Sequence, residues 1–339
     1  MSSIDDVAKL AGVSTATVSA VVNNQDIVKP KTKRRVLDAI RTLNYEPNLY
    51  AQTLARGRSN IIGVIISDIV NPFFSEIVQL VQEHSLRRGY QLLISVTQFS
   101  IDRLSDAIKY MIGMRIDGLL IMTSEMDDSI LDMVRERKIP TLFEDVGTVD
   151  ATTANLRIDY EGGIYRAVHC LVELGHENIL FVENPPVPAQ PRQFFSHRLR
   201  SEAFQAAIDR FPGLTAHKMS CTGRTAFQAG IECAQKALDQ FEFTGVIANA
   251  DPHAIGLLRG LQKAGKKIPG DISIIGFDNS PFCEYTDPPL TSVNISRGEI
   301  GQCAVETLVA MIEQSRPGIE IRIATELILR ESVGRPRKT

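Results

Sequence analysis

From Ile61 onward the sequence repeats one pattern: a short run of β-branched residues, a longer amphipathic stretch, then another such run. Ile61-Ile62-Gly63-Val64-Ile65-Ile66 reads as a strand, residues 73–88 as a helix, and Gln91-Leu92-Leu93-Ile94-Ser95-Val96 as the next strand. The runs at 116–122, 141–143, 179–182, 245–248 and 272–277 continue the series. Strands that are apolar almost throughout, alternating with helices, belong to parallel sheets buried on both faces. The body is therefore an α/β fold. Roughly 270 residues of such repeats exceed one comfortable core, which predicts two lobes.

Open parallel sheets bind ligands beyond the carboxyl ends of their strands, so the polar residues just after each run are the candidates. Asp68 follows the first run and precedes Phe73 and Phe74; Asp145 follows 141–143, Asp251 follows 245–248, and Asp278 follows 274–277. Arg200 opens a helical stretch containing Phe204. Carboxylates and an arginine around aromatic faces suit a sugar, whose hydroxyls take paired hydrogen bonds while its CH face packs on rings. Each residue also has a structural reading: core packing for Phe73 and Phe74, helix capping or strand-end turns for Asp68 and Asp278.

Residues 1–60 follow another pattern. They hold nine Lys or Arg against five Asp or Glu, a net +4, whereas the remainder carries −7. A small basic head on an acidic body predicts that the head alone meets a polyanion. Ser3-Ile4-Asp5-Asp6 has the form of a capping box, opening a short helix with Val7 and Leu10 on one face. Gly12 ends it. Ser14 then caps a second helix over 15–22, with Val18, Val21 and Val22 in a stripe, and Pro30 opens a third carrying Val36, Ile40 and Leu43. Three short helices with a glycine turn between the first two describe a helix-turn-helix. In that motif the second helix enters the major groove. Thr15 and Ala16 then face base edges, with Ser19 and Ala20 one turn later, while Lys29, Lys31, Lys33 and Arg34 neutralise phosphates. A purely structural three-helix cap is the alternative.

Other classes are disfavoured. No run of eighteen apolar residues predicts a membrane span, and the charged first turn is unlike a signal peptide, so a cytoplasmic location is expected. Five cysteines without CxxC spacing predict reduced, buried thiols rather than disulfides or a zinc knuckle. No phosphate loop, dinucleotide fingerprint or hydrolase motif occurs, so neither a cofactor, a metal nor an enzymatic activity is expected.

Asp6-Val7-Ala8-Lys9-Leu10-Ala11-Gly12-Val13-Ser14, Thr17-Val18-Ser19, Val22-Asn23 and Leu43-Asn44-Tyr45-Glu46-Pro47-Asn48 carry a close resemblance to the lactose-repressor/galactose-repressor (LacI/GalR) family, and the resemblance continues through the whole chain. It implies a DNA-binding domain at 1–46, a hinge helix and linker at 47–60, and an effector-binding and dimerisation domain at 61–339. That last domain would be a two-lobed, doubly wound core of periplasmic-binding-protein type, with the chain crossing near Asp159, Leu290 and Gly318. It also implies that Leu54 wedges a minor-groove base step, with Ala51 one turn earlier at the approach of two hinge helices. Leu54 packing on the body is the alternative. Phe73, Phe74, Arg200 and Asp278 match the family's effector-pocket positions, and Asp145 and Tyr160 match more variable ones. The sequence departs from the family at Ala20, where arginine is common, and at Ala250-Asp251, where an Asn-Asp pair is usual.

The function implied is a transcriptional repressor whose affinity for a palindromic operator depends on a small, sugar-like effector. A transporter's solute-binding protein would not need residues 1–60, and a sugar-metabolising enzyme would need a catalytic dyad or phosphate loop. The tail, residues 327–336, has no sustained heptad, which predicts a homodimer rather than a coiled-coil tetramer.

Overall fold

The computed structural model describes residues 2–23, 25–46, 57–123, 125–145, 149–183 and 195–337. It divides the chain into two compact units, Met1–Asn60 and Ile61–Thr339. The hinge helix expected around Ala51 and Leu54 lies outside the described residues.

The first unit is built from α1 (Ile4–Ala11), α2 (Thr15–Val22) and α3 (Pro30–Leu43). Ser3 and Asp6 close a reciprocal capping box on α1. The Ser14 hydroxyl accepts from the Thr17 N–H at the start of α2. Gly12 ends α1 with a left-handed φ of 61°, and Arg35 of α3 donates to the Ala11 and Gly12 carbonyls. A Cβ at Gly12 would lie 2.7 Å from that guanidinium, so both the turn and the bond require glycine. Val7, Ala8, Ala11, Val18, Val21, Val36 and Ala39 form the core. Two expectations fail here. Leu10 is 54% exposed, because the buried face of α1 runs through Val7, Ala8 and Ala11 instead. Ala20 is only 6% exposed, so its methyl is packed within the protein rather than presented on the surface.

In the second unit, β1 (Ile61–Ile66), α4 (Pro72–Arg87), β2 (Gln91–Val96), α5 (Ile101–Gly113), β3 (Gly118–Met122), α6 (Asp128–Arg137), β4 (Thr141–Glu144) and β5 (Thr153–Ile158) form one lobe. The second lobe comprises α7 (Tyr160–Glu173), β6 (Asn178–Glu183), α8 (Phe195–Ile208), β7 (Thr215–Ser220), α9 (Ala226–Gln240), β8 (Gly245–Ala248), α10 (Asp251–Lys263), β9 (Ser273–Asp278) and β10 (Thr291–Ile295). The chain returns to the first lobe for α11 (Arg297–Gln314) and β11 (Glu320–Ile323), then places β12 (Thr325–Ile328) in the second sheet.

The sheets share one topology. Their orders are β2-β1-β3-β4-β5 and β7-β6-β8-β9-β10, all parallel, each extended at its far edge. The extensions are β11, parallel to β5, and β12, antiparallel to β10. Each order reverses beside its first strand, which places a crevice at the carboxyl ends there. The chain crosses between lobes at Asp159, as expected, but its other crossings fall after Ile295 and Ile323. Leu290 is buried in the second lobe, and β10 must end before the chain can leave. Gly318 leads into β11, where its backbone presses so closely on Thr153 that a Cβ would overlap the Thr153 carbonyl. One apolar cluster runs from Ile62, Val64 and Ile66 of β1 to Phe181 of β6 and Phe277 of β9, joining the two lobes.

Candidate functional site

In the head, Thr15 and Ala16 are exposed on the first turn of α2, and Lys29 and Lys31 are exposed at the start of α3. Ser19 is half-buried and its hydroxyl accepts from the Asn23 amide at 3.2 Å. The surface thus offers one short helix turn with small side chains and, at the start of α3, exposed lysines. A helix N-terminus of this kind also presents free backbone N–H groups suited to phosphate.

In the body, a cavity of about 700 Å³ lies where the carboxyl ends of both sheets meet. Its volume falls in the range of small-molecule sites. Asp68 follows β1 and lines it, while its carboxylate also accepts from the Val70 N–H at 2.8 Å, so the strand-end-turn and lining readings hold together, and the helix cap falls to Asn71. Asn71 caps α4 through the Phe73 N–H, and Pro72 fixes the first turn. That turn brings Phe73 and Phe74 to the wall, their rings edge to face at 5.4 Å.

Arg200 of α8 is the buried cation of the site. Its guanidinium lies 4.8 Å from the Tyr160 ring and 4.6 Å from the Phe277 ring, between two aromatic faces. It donates to the Asn249 carbonyl and to Asp278 at 3.4 Å. Arg200 and Asp278, 78 positions apart, therefore meet in one wall. Burial opposes the charge of Arg200, but Asp278 and Tyr160 more than offset it and its pKa is raised. Asp278 sits at a φ of 102°, and its pKa is pushed up to about 7 by burial, against the pull of Arg200.

Two expected ligand contacts are placed differently. Asp145 does not line the cavity. Its carboxylate accepts from the Ile158 N–H at 3.0 Å and from the Tyr160 hydroxyl at 2.8 Å, holding that ring in the wall from behind. The left-handed φ of 57° at Asp145 turns the chain there, and Glu144, one residue earlier, reaches the cavity instead. Asp251 is fully buried behind the wall. It accepts from the Ser292 hydroxyl at 2.6 Å and from the Ser280 N–H, and it lies so close over Gly276 that a Cβ there would be 2.2 Å from its Oδ1. It is a clasp for the turn after β9. Burial raises the pKa of both acids to about 6.

The sequence reading missed Glu144, Asn249 and His253, all lining the cavity. Burial, then the neighbouring Asp145, raises the Glu144 pKa to about 8. Burial lowers that of His253 to about 4, keeping the imidazole neutral. The Asn249 amide, His253 Nδ1 and Arg200 Nε are buried without a hydrogen-bond partner among the described residues. Buried polar atoms normally have partners, and four of the eight orphaned atoms among the described residues fall in this one wall.

The expectation of reduced thiols also fails at one pair. Cys221, in the cavity wall after β7, is bonded to Cys233 in the middle of α9. The two are brought together by the strand-to-helix connection, which no CxxC spacing could announce. Cys170, Cys283 and Cys303 are free. Among the described residues no helix is long and apolar enough to cross a membrane.

Residues 3–48 match the model of bacterial regulatory proteins of the lacI family, and residues 168–333 match that of periplasmic binding protein-like domains. The HTH-type transcriptional repressor PurR of Pasteurella multocida is 33% identical over 337 residues, covering 98% of this chain and 99% of the relative. Its namesake from Haemophilus influenzae strain PittEE is 33% identical over 339 residues at the same coverage. Among solved structures, the Lac repressor dimer bound to operator and an anti-inducer superposes with a TM-score of 0.84 at 27% identity, over 98% of this chain and 99% of the other. A LacI-family regulator from Enterococcus faecium with bound ribose superposes at 0.69 and 28% identity, over 82% of this chain and 100% of the other. The basic helix-turn-helix head, the paired doubly wound sheets and the full-length match agree: the chain belongs to the lacI family of bacterial regulatory proteins.

Proposed function

We propose that the protein is a transcriptional repressor that binds a palindromic operator as a homodimer and is controlled by a small molecule held in the interlobe cavity. The observation that carries this reading is the cavity wall itself. Arg200, Asn249 and His253 carry unpartnered buried polar atoms and line the same cavity as Phe73 and Phe74, in a chain that also has a helix-turn-helix head. Relatives named as repressors, and structures with operator or sugar bound, support it. Thr15, Ala16 and Ser19 read bases, and Lys29 and Lys31 contact phosphates. Two heads related by a two-fold axis read two half-sites. Asp68, Phe73, Phe74, Tyr160, Arg200 and Asp278 hold the effector, with Asp145 acting through Tyr160. The hinge around Ala51 and Leu54 couples the two events, so closure of the lobes and operator affinity are linked reciprocally. The protein works by binding in the cytoplasm, not by turnover.

In-vitro selection of randomised duplexes with the full-length chain tests the DNA half. A two-fold symmetric sequence is expected, and Ala16→Gln should change its base preference at one symmetric pair of positions. An unstructured or asymmetric selection, or one indifferent to residue 16, would refute it.

A further inference from the structure

The geometry points to an effector that carries a protonated amine, with Glu144 as the residue that selects it. This rests on the cavity being the effector site. Glu144 ends β4, lines the cavity and is 8% exposed, yet no hydrogen bond or ion pair reaches its carboxyl group among the described residues. The charged groups acting on it are Asp145, Arg200 and Asp278. Arg200, the one cation in this group, is already engaged by Asp278, the Asn249 carbonyl and two rings. Arg157 also acts on Asp145 and Arg297 on Asp278, so among the described residues Glu144 is the acid of this group whose one cationic neighbour is the already engaged Arg200, and His253 in the same wall supplies no charge because burial keeps it neutral.

A buried carboxylate without a counter-ion either takes a proton or waits for a cation. In the free protein burial favours the protonated acid. An ammonium group entering the cavity replaces that proton and forms a charged hydrogen bond, and the rings at the wall favour a cation as well. The remaining orphan atoms specify the rest of the molecule. Arg200 Nε–H requires an acceptor, and the Asn249 amide takes one donor and one acceptor, as hydroxyl or carbonyl oxygens provide. The class is a small polyhydroxylated amine, such as an amino sugar or amino polyol, and the cavity has room for one or two sugar rings.

The test is a thermal-shift comparison of the full-length protein at pH 7.5 with matched pairs. These are glucosamine and glucose, galactosamine and galactose, mannosamine and mannose, and glucamine and sorbitol. At least one amine is expected to raise the melting temperature while its hydroxyl parent does not, and Glu144→Gln should abolish that shift. Calorimetry at pH 6.5, where the acid and the amine both hold their protons, in two buffers of different ionisation enthalpy should show close to one proton released per amine bound. Affinity should therefore increase with pH, by up to about tenfold per unit, until the free amine begins to lose its own proton. Circular dichroism of Glu144→Gln establishes that it folds. Equal shifts from the hydroxyl parents, an undiminished shift in Glu144→Gln, or no shift from any amine would overturn the amine assignment. Binding lost in Arg200→Met but kept in Glu144→Gln would leave the cavity as the effector site and remove the amine; binding kept in both would remove the site.

Discussion

Replacing Arg200 with methionine keeps an unbranched apolar stem but removes the buried cation on which the inner wall is arranged. The loss includes charged hydrogen bonds to Asp278 and the Asn249 carbonyl, each worth roughly 1.5–3 kcal/mol in general. Stacking on Tyr160 and Phe277 adds roughly 2 kcal/mol for each desolvated ring. Against this, the variant no longer buries a guanidinium, whose desolvation costs several kcal/mol. The terms are not additive, and the balance is that of breaking a buried pair by removing one partner, a destabilisation of about 3–5 kcal/mol. The acids respond to the change. Arg200 opposes the rise in the pKa of Asp278 and of Glu144, so both hold protons to higher pH without it. The unfolded chain has released those protons above about pH 5. The deficit of the variant must therefore grow with pH, by up to about 1.4 kcal/mol per pH unit for each proton retained. Because the chain has no tryptophan, the assay is urea unfolding followed by far-ultraviolet circular dichroism, at pH 6.5, 7.5 and 8.5. A deficit below 1 kcal/mol at pH 7.5, or one that shrinks as pH rises, would refute this account of the pair.

In the unsubstituted protein the same logic predicts lower stability at pH 8 than at pH 6.5. Glu144 and Asp278 have folded-state pKa values raised to about 8 and about 7, so the native state binds protons that the unfolded chain lacks; a flat or rising profile would contradict it. The lowered pKa of His253 acts below about pH 6.5, outside this window, and with the opposite sign. Asp251→Ala strands the Ser280 N–H and the Ser292 hydroxyl, so unfolding should become easier by about 2–4 kcal/mol. Ligand affinity should stay within threefold, and a selective loss of affinity would return Asp251 to the wall. For the hinge, Leu54→Ala should weaken operator binding by about 2–3 kcal/mol, the worth of a buried leucine side chain. Binding to random DNA should not change at fixed salt, because an uncharged side chain neutralises no phosphate. Equal losses on both DNAs would end the minor-groove reading.

Much of the architecture was legible because local signals agreed. Ser3, Gly12, Ser14 and Pro30 each mark a helix boundary with their own chemistry, and the structure places boundaries at all four. The apolar runs at β1, β3, β6, β8 and β9 announced interior strands, and the run at β2 announced an edge. Strands without such runs were not read. β7 (Thr-Ala-His-Lys-Met-Ser) and β11 are half-exposed edges, and β5 and β10 bury Thr, Asn and Ser where the pattern demands apolar residues. Leu10 shows that two residues three apart need not share the buried face when Ala8 and Ala11 pack more closely.

At the site, Asp68, Phe73, Phe74 and Asp278 were found by looking just beyond the strand ends, Arg200 at the start of a helical stretch and Tyr160 through the family resemblance, and the wall contains all six. Glu144 and Asp145 are consecutive acids, and only the backbone turn at Asp145 decides which of them faces the cavity. Asn249 and Asp251 pose the same problem after β8. The start of α10 carries Asp251 over Gly276, and Asn249 is left at the wall. The Cys221–Cys233 bond depends on how β7 and α9 pack, which has no local signature.

The central claim is that occupancy of the cavity and operator binding by the head are one linked equilibrium. The direct measurement is a closed cycle at one salt concentration with the full-length protein, its selected operator, and a compound shown to raise the melting temperature. Operator affinity is measured by anisotropy with and without the compound, and compound affinity by calorimetry with and without operator. Linkage requires the two ratios to be the same factor, in the range of about 5–150 for typical allosteric coupling, and Arg200→Met should bring both towards one. Ratios of one in the unsubstituted protein, with both ligands still bound, would contradict the account.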